Sequence, residues 1–401
     1  MARIVFAWEF GAGLGHILYD LPLAKKLLGR GHEVFCVMKN VVDAEKVMGP
    51  HGVKVLQAPV WQVQVKRLEN TFNYADTLFN HGYLFDGALQ GMAKAWRNLF
   101  EKIKPELLIV DHAPTALIAA RGTEIKTALY GTGFFAPPRQ EPMPSIIPWV
   151  KAPDGALEQS EKKIVAKIND VLQGLDAPKL EALCELFTVD ENFLCTFPEL
   201  DHYQGHVREK YWGPVINLPE GESPAWPDTG NNRKIFCYIK AQYPHLEEVL
   251  LNLQQSEAAV IVFLKNAPRK IKTKFTSPSL KFTERPVNMK EVCGECDLVV
   301  CHAGHGTIAV TLLHGKPLLL LPEHNQLEQV LIARNIALQK LGLCIFTRQK
   351  VRAYKGAIDK IFSDFEFTEK ARAFAYKYKD VNPSQQLEEI AARCEELIAQ
   401  F

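Results

Sequence analysis

This chain has little that would tie it to a membrane, to nucleic acid or to a metal. Its longest uninterrupted apolar runs, such as 318–322, fall far short of the roughly 20 residues that a membrane-spanning helix needs, so no transmembrane segment is expected. No basic segment leads into a long apolar stretch near the start, which gives no signal peptide and an expected cytoplasmic location. Lys and Arg number 47 against 46 Asp and Glu, and the formal net charge of +1 supplies no field to gather nucleic acid. The nine cysteines form no paired framework; the one close pair, Cys293 and Cys296, has no second Cys or His pair to complete a zinc site and reads as structural. No Asp-x-Asp pair is present to carry a divalent metal, and no glycine loop runs into Gly-Lys-Ser/Thr, which excludes a P-loop. No repeat of solenoid length and no low-complexity tract appears.

What is present is an ordinary globular composition, 47% hydrophobic and 23% charged, over 401 residues. That length exceeds what one hydrophobic core supports and predicts two domains. Apolar strand-like runs at 3–8, 34–37, 107–110 and 128–130 alternate with longer helical segments. A second series follows at 234–239, 259–264, 298–301 and 318–321. Alternation of this kind predicts two parallel α/β sheets. Between the series, residues 213–230 hold Pro214, Pro219, Pro224 and Pro227 among acidic and small residues, the composition of an extended linker. The expected boundaries are an N-terminal domain over 1–213, a linker over 214–232, a C-terminal domain over 233–383 and a terminal amphipathic helix over 384–401. In that helix Leu387, Ile390, Ala391, Cys394, Leu397 and Ile398 form an apolar stripe that must pack on something.

Two loops carry candidate chemistry. After the first strand come Gly11, Gly13, Gly15 and His16, then a helix expected to bury Ile17, Leu21, Ala24 and Leu28. This is not a dinucleotide fingerprint: His16 stands at the third glycine position, and the second strand runs into Met38, Lys39 and Asn40 with no carboxylate before Asp43. A histidine at a helix start is kept neutral by the helix dipole and suits a general base, although by itself it also suits a helix cap. The run 107–110 ends in Asp111, and in a parallel sheet the carboxyl ends of all strands open on one side, where Asp111 can meet His16. A carboxylate on one ring nitrogen raises the basicity of the other. Alone, Asp111 would also serve as an N-cap for the next helix.

The second loop lies within residues 297–322: an apolar strand, then His302, Ala303, Gly304, His305, Gly306 and Thr307, a helix, Gly315, Pro317 and another strand ending at Pro322. Glycines let the backbone approach a phosphate, and the amides of the following helix start point at it with the dipole behind them, so the loop suits a diphosphate.

The motif from His302 to Thr307, followed by Gly315, Lys316, Pro317, Pro322 and the pair Glu328 and Gln329, resembles the donor-binding signature of family 1 glycosyltransferases of the bacterial type. Gly15 and His16 with Pro22, Ala24 and 30–34, and Tyr211 to Pro214, are similar to other motifs of that family, so the resemblance spans most of the chain. It implies a GT-B fold, two Rossmann-like domains facing a central cleft, with the C-terminal helix returning to the N-terminal domain. It implies an inverting, metal-independent transfer of a hexose from a UDP-sugar or other nucleotide sugar to an acceptor hydroxyl, with no cofactor beyond the co-substrate. By the same resemblance His16 is the base and Asp111 its partner. His302 and the amides of Gly306 and Thr307 hold the donor phosphates, Gly15, Gly304 and His305 belong to the same donor site, Glu328 and Gln329 bind sugar hydroxyls, and the backbone at Pro286, Val287 and Asn288 faces the uracil. Three departures follow. Val310 replaces a ribose-binding Glu, Lys240 stands where a small phosphate loop is usual and substitutes as a phosphate ligand, and Asn325 and Gln326 compete with Glu328 and Gln329 for the sugar. Aromatics in the first half, among them Trp61, Phe72, Tyr74, Phe79, Tyr83, Phe85, Phe134, Phe135 and Trp149, are divided between core and a small, apolar acceptor. The rival readings are a UDP-sugar epimerase or hydrolase, which would not need His16 and Asp111 as a pair, and an inactive glycosyltransferase-like regulatory subunit.

Overall fold

The computed structural model describes residues 1–11, 13–63, 68, 71–206, 209–216, 221–230, 232–349 and 352–400. Of the expected linker, residues 217–220 and 231 lie outside the described residues. The chain divides into two compact units, Met1–Val215 with Asn382–Phe401, and Ile216–Val381.

The first unit is built on a six-stranded sheet of β1 (Arg3–Trp8), β2 (Glu33–Met38), β3 (Lys54–Gln57), β4 (Leu107–Val110), β5 (Lys126–Gly131) and β6 (Glu191–Leu194). Its order is β3-β2-β1-β4-β5-β6, with every pairing parallel. Both faces are covered, and the period of two is visible in β1: Val5 and Ala7 enter one apolar core, Ile4, Phe6 and Trp8 the other. The helix Gly15–Gly29 buries Ile17, Asp20, Leu23, Ala24 and Leu27, so its inward stripe is turned from the expected one and carries a carboxyl group with it.

The terminal helix Pro383–Ala399 completes the second of these cores. Ile390, Ala391, Cys394 and Leu397 are buried there beside Phe193, Cys195 and Trp212. Its polar side holds Arg30 through Glu388 at 2.8 Å, His32 through Glu395 at 3.1 Å and Glu191 through Arg393 at 2.6 Å. The apolar stripe thus finds its partner in the N-terminal unit.

The second unit repeats the plan with β7 (Lys234–Tyr238), β8 (Ala259–Phe263), β9 (Leu280–Thr283), β10 (Leu298–Cys301), β11 (Leu318–Leu320) and β12 (Gly342–Cys344). Its order is β12-β11-β10-β7-β8-β9, again all parallel and the same topology read from the other edge. Glu222, in the proline-rich segment, lies on this unit: its amide donates to the Pro286 carbonyl at 2.9 Å, and its carbonyl accepts from the Asn288 amide at 2.9 Å. Gly221 allows that approach, since a Cβ there would stand 2.2 Å from the Val287 carbonyl carbon. In each sheet the chain changes direction between the first and fourth strand of the unit, which places the loops after β1 and β4, and after β7 and β10, beside each other.

Candidate active site

In the first unit β1 pairs with β4, with Ala7 opposite Val110, and the Asp111 amide continues the ladder to the Ala7 carbonyl at 3.1 Å. His16, in the first turn of the helix Gly15–Gly29, reaches across this junction, and its Nδ1 is hydrogen-bonded to Asp111 Oδ2. With Nδ1–H donating to the carboxylate, Nε2 is the basic nitrogen. Trp8 stacks on the imidazole at 4.8 Å between centroids, and Phe135 packs near it at 5.5 Å. Gly11, at φ +98°, is required: a Cβ there would stand 2.5 Å from His16 Nε2. The glycine loop therefore serves the histidine ring as well as the turn. Gly15 opens the helix, and a Cβ on it would meet nothing within 4 Å.

Two buried acids lie around this pair that sequence reasoning passed over. Glu9 accepts from the amides of Thr115 at 3.1 Å and Ala116 at 2.9 Å, while its own amide and that of Phe10 donate to the His112 carbonyl. It clasps the loop that leads to His16 onto the loop that begins with Asp111. Burial pushes its carboxyl up to about 8, against the lowering effect of those hydrogen bonds. Asp20, one helical turn after His16, is buried with neither carboxyl oxygen hydrogen-bonded; burial first, and the charge of Asp111 second, raise its pKa well above the ordinary value. The signal for both was an acid flanked by large apolar residues, Trp8 and Phe10 in one case, Tyr19 and Leu21 in the other.

The aromatics assigned to core or acceptor sort themselves by burial. Tyr74 and Tyr83 are core, whereas Phe85 and Trp149 are exposed and Trp61 packs on Phe85 at 5.7 Å. Phe135 stacks on the buried His112 at 3.7 Å. Burial, then the neighbouring His81, His16 and Lys39, hold His112 well below its ordinary pKa and therefore neutral.

In the second unit the loop after β10 turns through His302, Ala303 and Gly304 into the helix His305–Leu313. Ala303 is buried at φ +64°, a left-handed conformation costly for any residue with a side chain. A Cβ on Gly304 or Gly306 would meet nothing within 4 Å, so neither glycine is demanded by packing, and the amides of His305, Gly306 and Thr307 form the helix start. His302 is buried and uses both ring nitrogens inside the chain: Nδ1 donates to the Leu321 carbonyl at 2.9 Å, and Nε2 accepts from the Lys240 amide at 3.0 Å. The expectation that His302 touches a phosphate is thus set against a ring already engaged on both sides. Lys240 Nζ pairs with Glu323 at 2.5 Å, and the Glu323 amide donates to Gln329 Oε1 at 3.1 Å. The structure therefore gathers Lys240, His302 and Gln329, with Glu323 as a fourth member that was not expected. Glu328 lies in the first turn of the helix Leu327–Leu338. Val287 lies against Gly221 and Glu222, and the Pro286 carbonyl and Asn288 amide offered to a base are taken by Glu222. Val310 is buried and its carbonyl accepts from His314.

Two six-stranded parallel sheets of this order, with candidate groups at the carboxyl ends of their central strands, define the GT-B glycosyltransferase fold. Residues 241–387 match the family described as glycosyltransferase family 28 C-terminal domain. The chain is similar to the calicheamicin glycosyltransferase CalG4, at 17% identity and a TM-score of 0.73 over 99% of this chain and 98% of that one. It is similar to the glycosyltransferase VinC in complex with dTDP, at 14% identity and 0.67 over the whole of both chains (100% and 100%). It is also similar to the spinosyn rhamnosyltransferase SpnG complexed with spinosyn aglycone, at 17% identity and 0.62 over 97% of this chain and 100% of that one. No curated protein matches it by sequence. The family 1 resemblance of the motifs is met at the level of the GT-B fold, while the family model matched by residues 241–387 is the family 28 one. No helix among the described residues is long and apolar enough to cross a membrane.

Proposed function

We propose that this chain is an inverting glycosyltransferase that moves a hexose from a UDP-sugar, or another nucleoside-diphosphate sugar, to a hydroxyl of a small apolar acceptor, without a metal or other cofactor. The observation that carries the proposal is the hydrogen bond between His16 and Asp111 at the ends of adjacent strands. His16 Nε2 takes the proton of the acceptor hydroxyl as the oxygen attacks the anomeric carbon, and the carbon–oxygen bond to the diphosphate breaks from the opposite side. Asp111 holds the imidazole in the required tautomer and stabilises the imidazolium. The helix start at His305, Gly306 and Thr307 receives the diphosphate, whose charge it offsets through its backbone amides and the helix dipole. Thymidine diphosphate complexes of VinC and SpnG support a pyrimidine nucleoside diphosphate. In a hydrolase the same pair would activate water in place of an acceptor hydroxyl, so formation of a glycosylated acceptor separates the two readings.

The test is to incubate the chain with UDP- and dTDP-hexoses and a panel of small hydroxylated aromatics in excess EDTA, and to read glycosylated product by mass and its anomeric configuration by NMR. Transfer with inversion in EDTA is expected. Activity that appears only when manganese is restored, or product of retained configuration, would refute the mechanism.

A further inference from the structure

The ion pair between Lys240 and Glu323 joins two strands that do not touch each other. β7 and β11 flank β10, with Cys301 opposite Tyr238 on one side and Leu320 on the other. Lys240 follows Tyr238 by two residues and Glu323 follows Leu320 by three, so their contact at 2.5 Å bridges the end of β10 where the chain turns into the helix His305–Leu313. Both partners are anchored through their backbones, Lys240 to His302 Nε2 at 3.0 Å and Glu323 to Gln329 Oε1 at 3.1 Å. The side chains themselves remain within reach of a solute, Lys240 half exposed and Glu323 at 23%. An anion drawn to the helix start thus finds the neighbouring cation already carrying a carboxylate.

Resting on the donor reading above, we propose that Glu323 holds on Lys240 the place of a phosphate oxygen, so that a nucleoside diphosphate binds by displacing it. Glu323 is then a positioning residue, acting through Lys240, that sets donor affinity. The exchange replaces one charge-assisted hydrogen bond by another and leaves the freed carboxylate to water. A pair this exposed handicaps a competing anion by about two- to fivefold in affinity, since surface pairs are worth little. Displacement is therefore readily reached by a diphosphate, which has two charges to offer the lysine and the helix start together. A neutral nucleoside has none and leaves the pair closed.

The experiment is calorimetric titration of the full chain and of Glu323→Gln, Lys240→Met and the double variant with UDP, dTDP and uridine, alongside their melting temperatures. Glu323→Gln is expected to bind both diphosphates about two- to fivefold more tightly than the native chain, with uridine unchanged. Lys240→Met is expected to bind the diphosphates more weakly, and in that background the gain from Glu323→Gln shrinks. A structural role alone cannot tighten binding. Affinity that is unchanged or weaker in Glu323→Gln, or a gain that persists in full without Lys240, overturns the inference while leaving the donor reading intact. A native chain that binds neither diphosphate overturns both.

Discussion

His302 and Lys240 are fastened to each other the wrong way round for a histidine that grips a phosphate: the Lys240 amide donates to Nε2 at 3.0 Å, and the one ring proton is spent on the Leu321 carbonyl at 2.9 Å. The ring staples the loops after β7, β10 and β11. Burial is the main cause of its lowered pKa, assisted by the charge of Lys240 and opposed by Leu321 and Glu323, so it stays neutral. Because the folded pKa lies below the unfolded one, the stability it contributes is present above about pH 6.5 and declines as pH falls. His302→Ala should lose about 1 to 3 kcal/mol of stability in urea denaturation, because the buried Leu321 carbonyl and the part-buried Lys240 amide lose their partner. An unaltered unfolding curve with a collapsed UDP affinity would instead return His302 to the phosphates.

How much of this was legible beforehand follows from position in the sheets. The strands read from sequence, 3–8, 34–37, 107–110, 128–130 and their four counterparts, are the central ones, buried on both faces and therefore continuous apolar runs. Those that escaped, β3, β6, β9 and β12, are the four edges, and KVLQ, ENFL, LKFT and GLC carry no such run because one side of each lacks a neighbouring strand. The same logic divides the candidate site. His16 and Asp111 were legible since each ends a buried strand or begins the next helix. Glu323 was not, because its importance depends on the register of β11 beside β10.

The pair His16 and Asp111 should behave as one unit. His16→Ala should lower turnover by about 10² to 10⁴ while UDP affinity stays near native. Asp111→Asn should fall in the same direction, and the double variant should be barely slower than His16→Ala. Steady-state kinetics on a double-mutant cycle decide it: losses that multiply would mean independent roles, and native turnover in His16→Ala would leave His16 as a helix-start residue only.

Glu9 gives a pH signature. Its carboxyl is raised from 4.5 to about 8 by burial, so the folded state holds a proton that the unfolded state has released. The stability from that proton is complete below about pH 4.5 and is lost as pH rises through about 8, with a slope of up to about 1.4 kcal/mol per pH unit. In Glu9→Gln that slope should vanish, measured by chemical denaturation from pH 5 to 8. An identical pH dependence in the variant would show that Glu9 ionises freely.

The return of the helix Pro383–Ala399 to the first unit makes Ile216–Val381 an insertion inside a discontinuous domain. On the ribosome the first sheet is therefore synthesised early and finished late. Ile4, Phe6 and Trp8 emerge hundreds of residues before Ile390, Cys394 and Leu397, which close the face on which they pack. The inserted unit, contiguous in sequence, is complete before its host. A stop codon near residue 382 would thus spare the inserted unit and leave uncovered one face of the domain that carries His16.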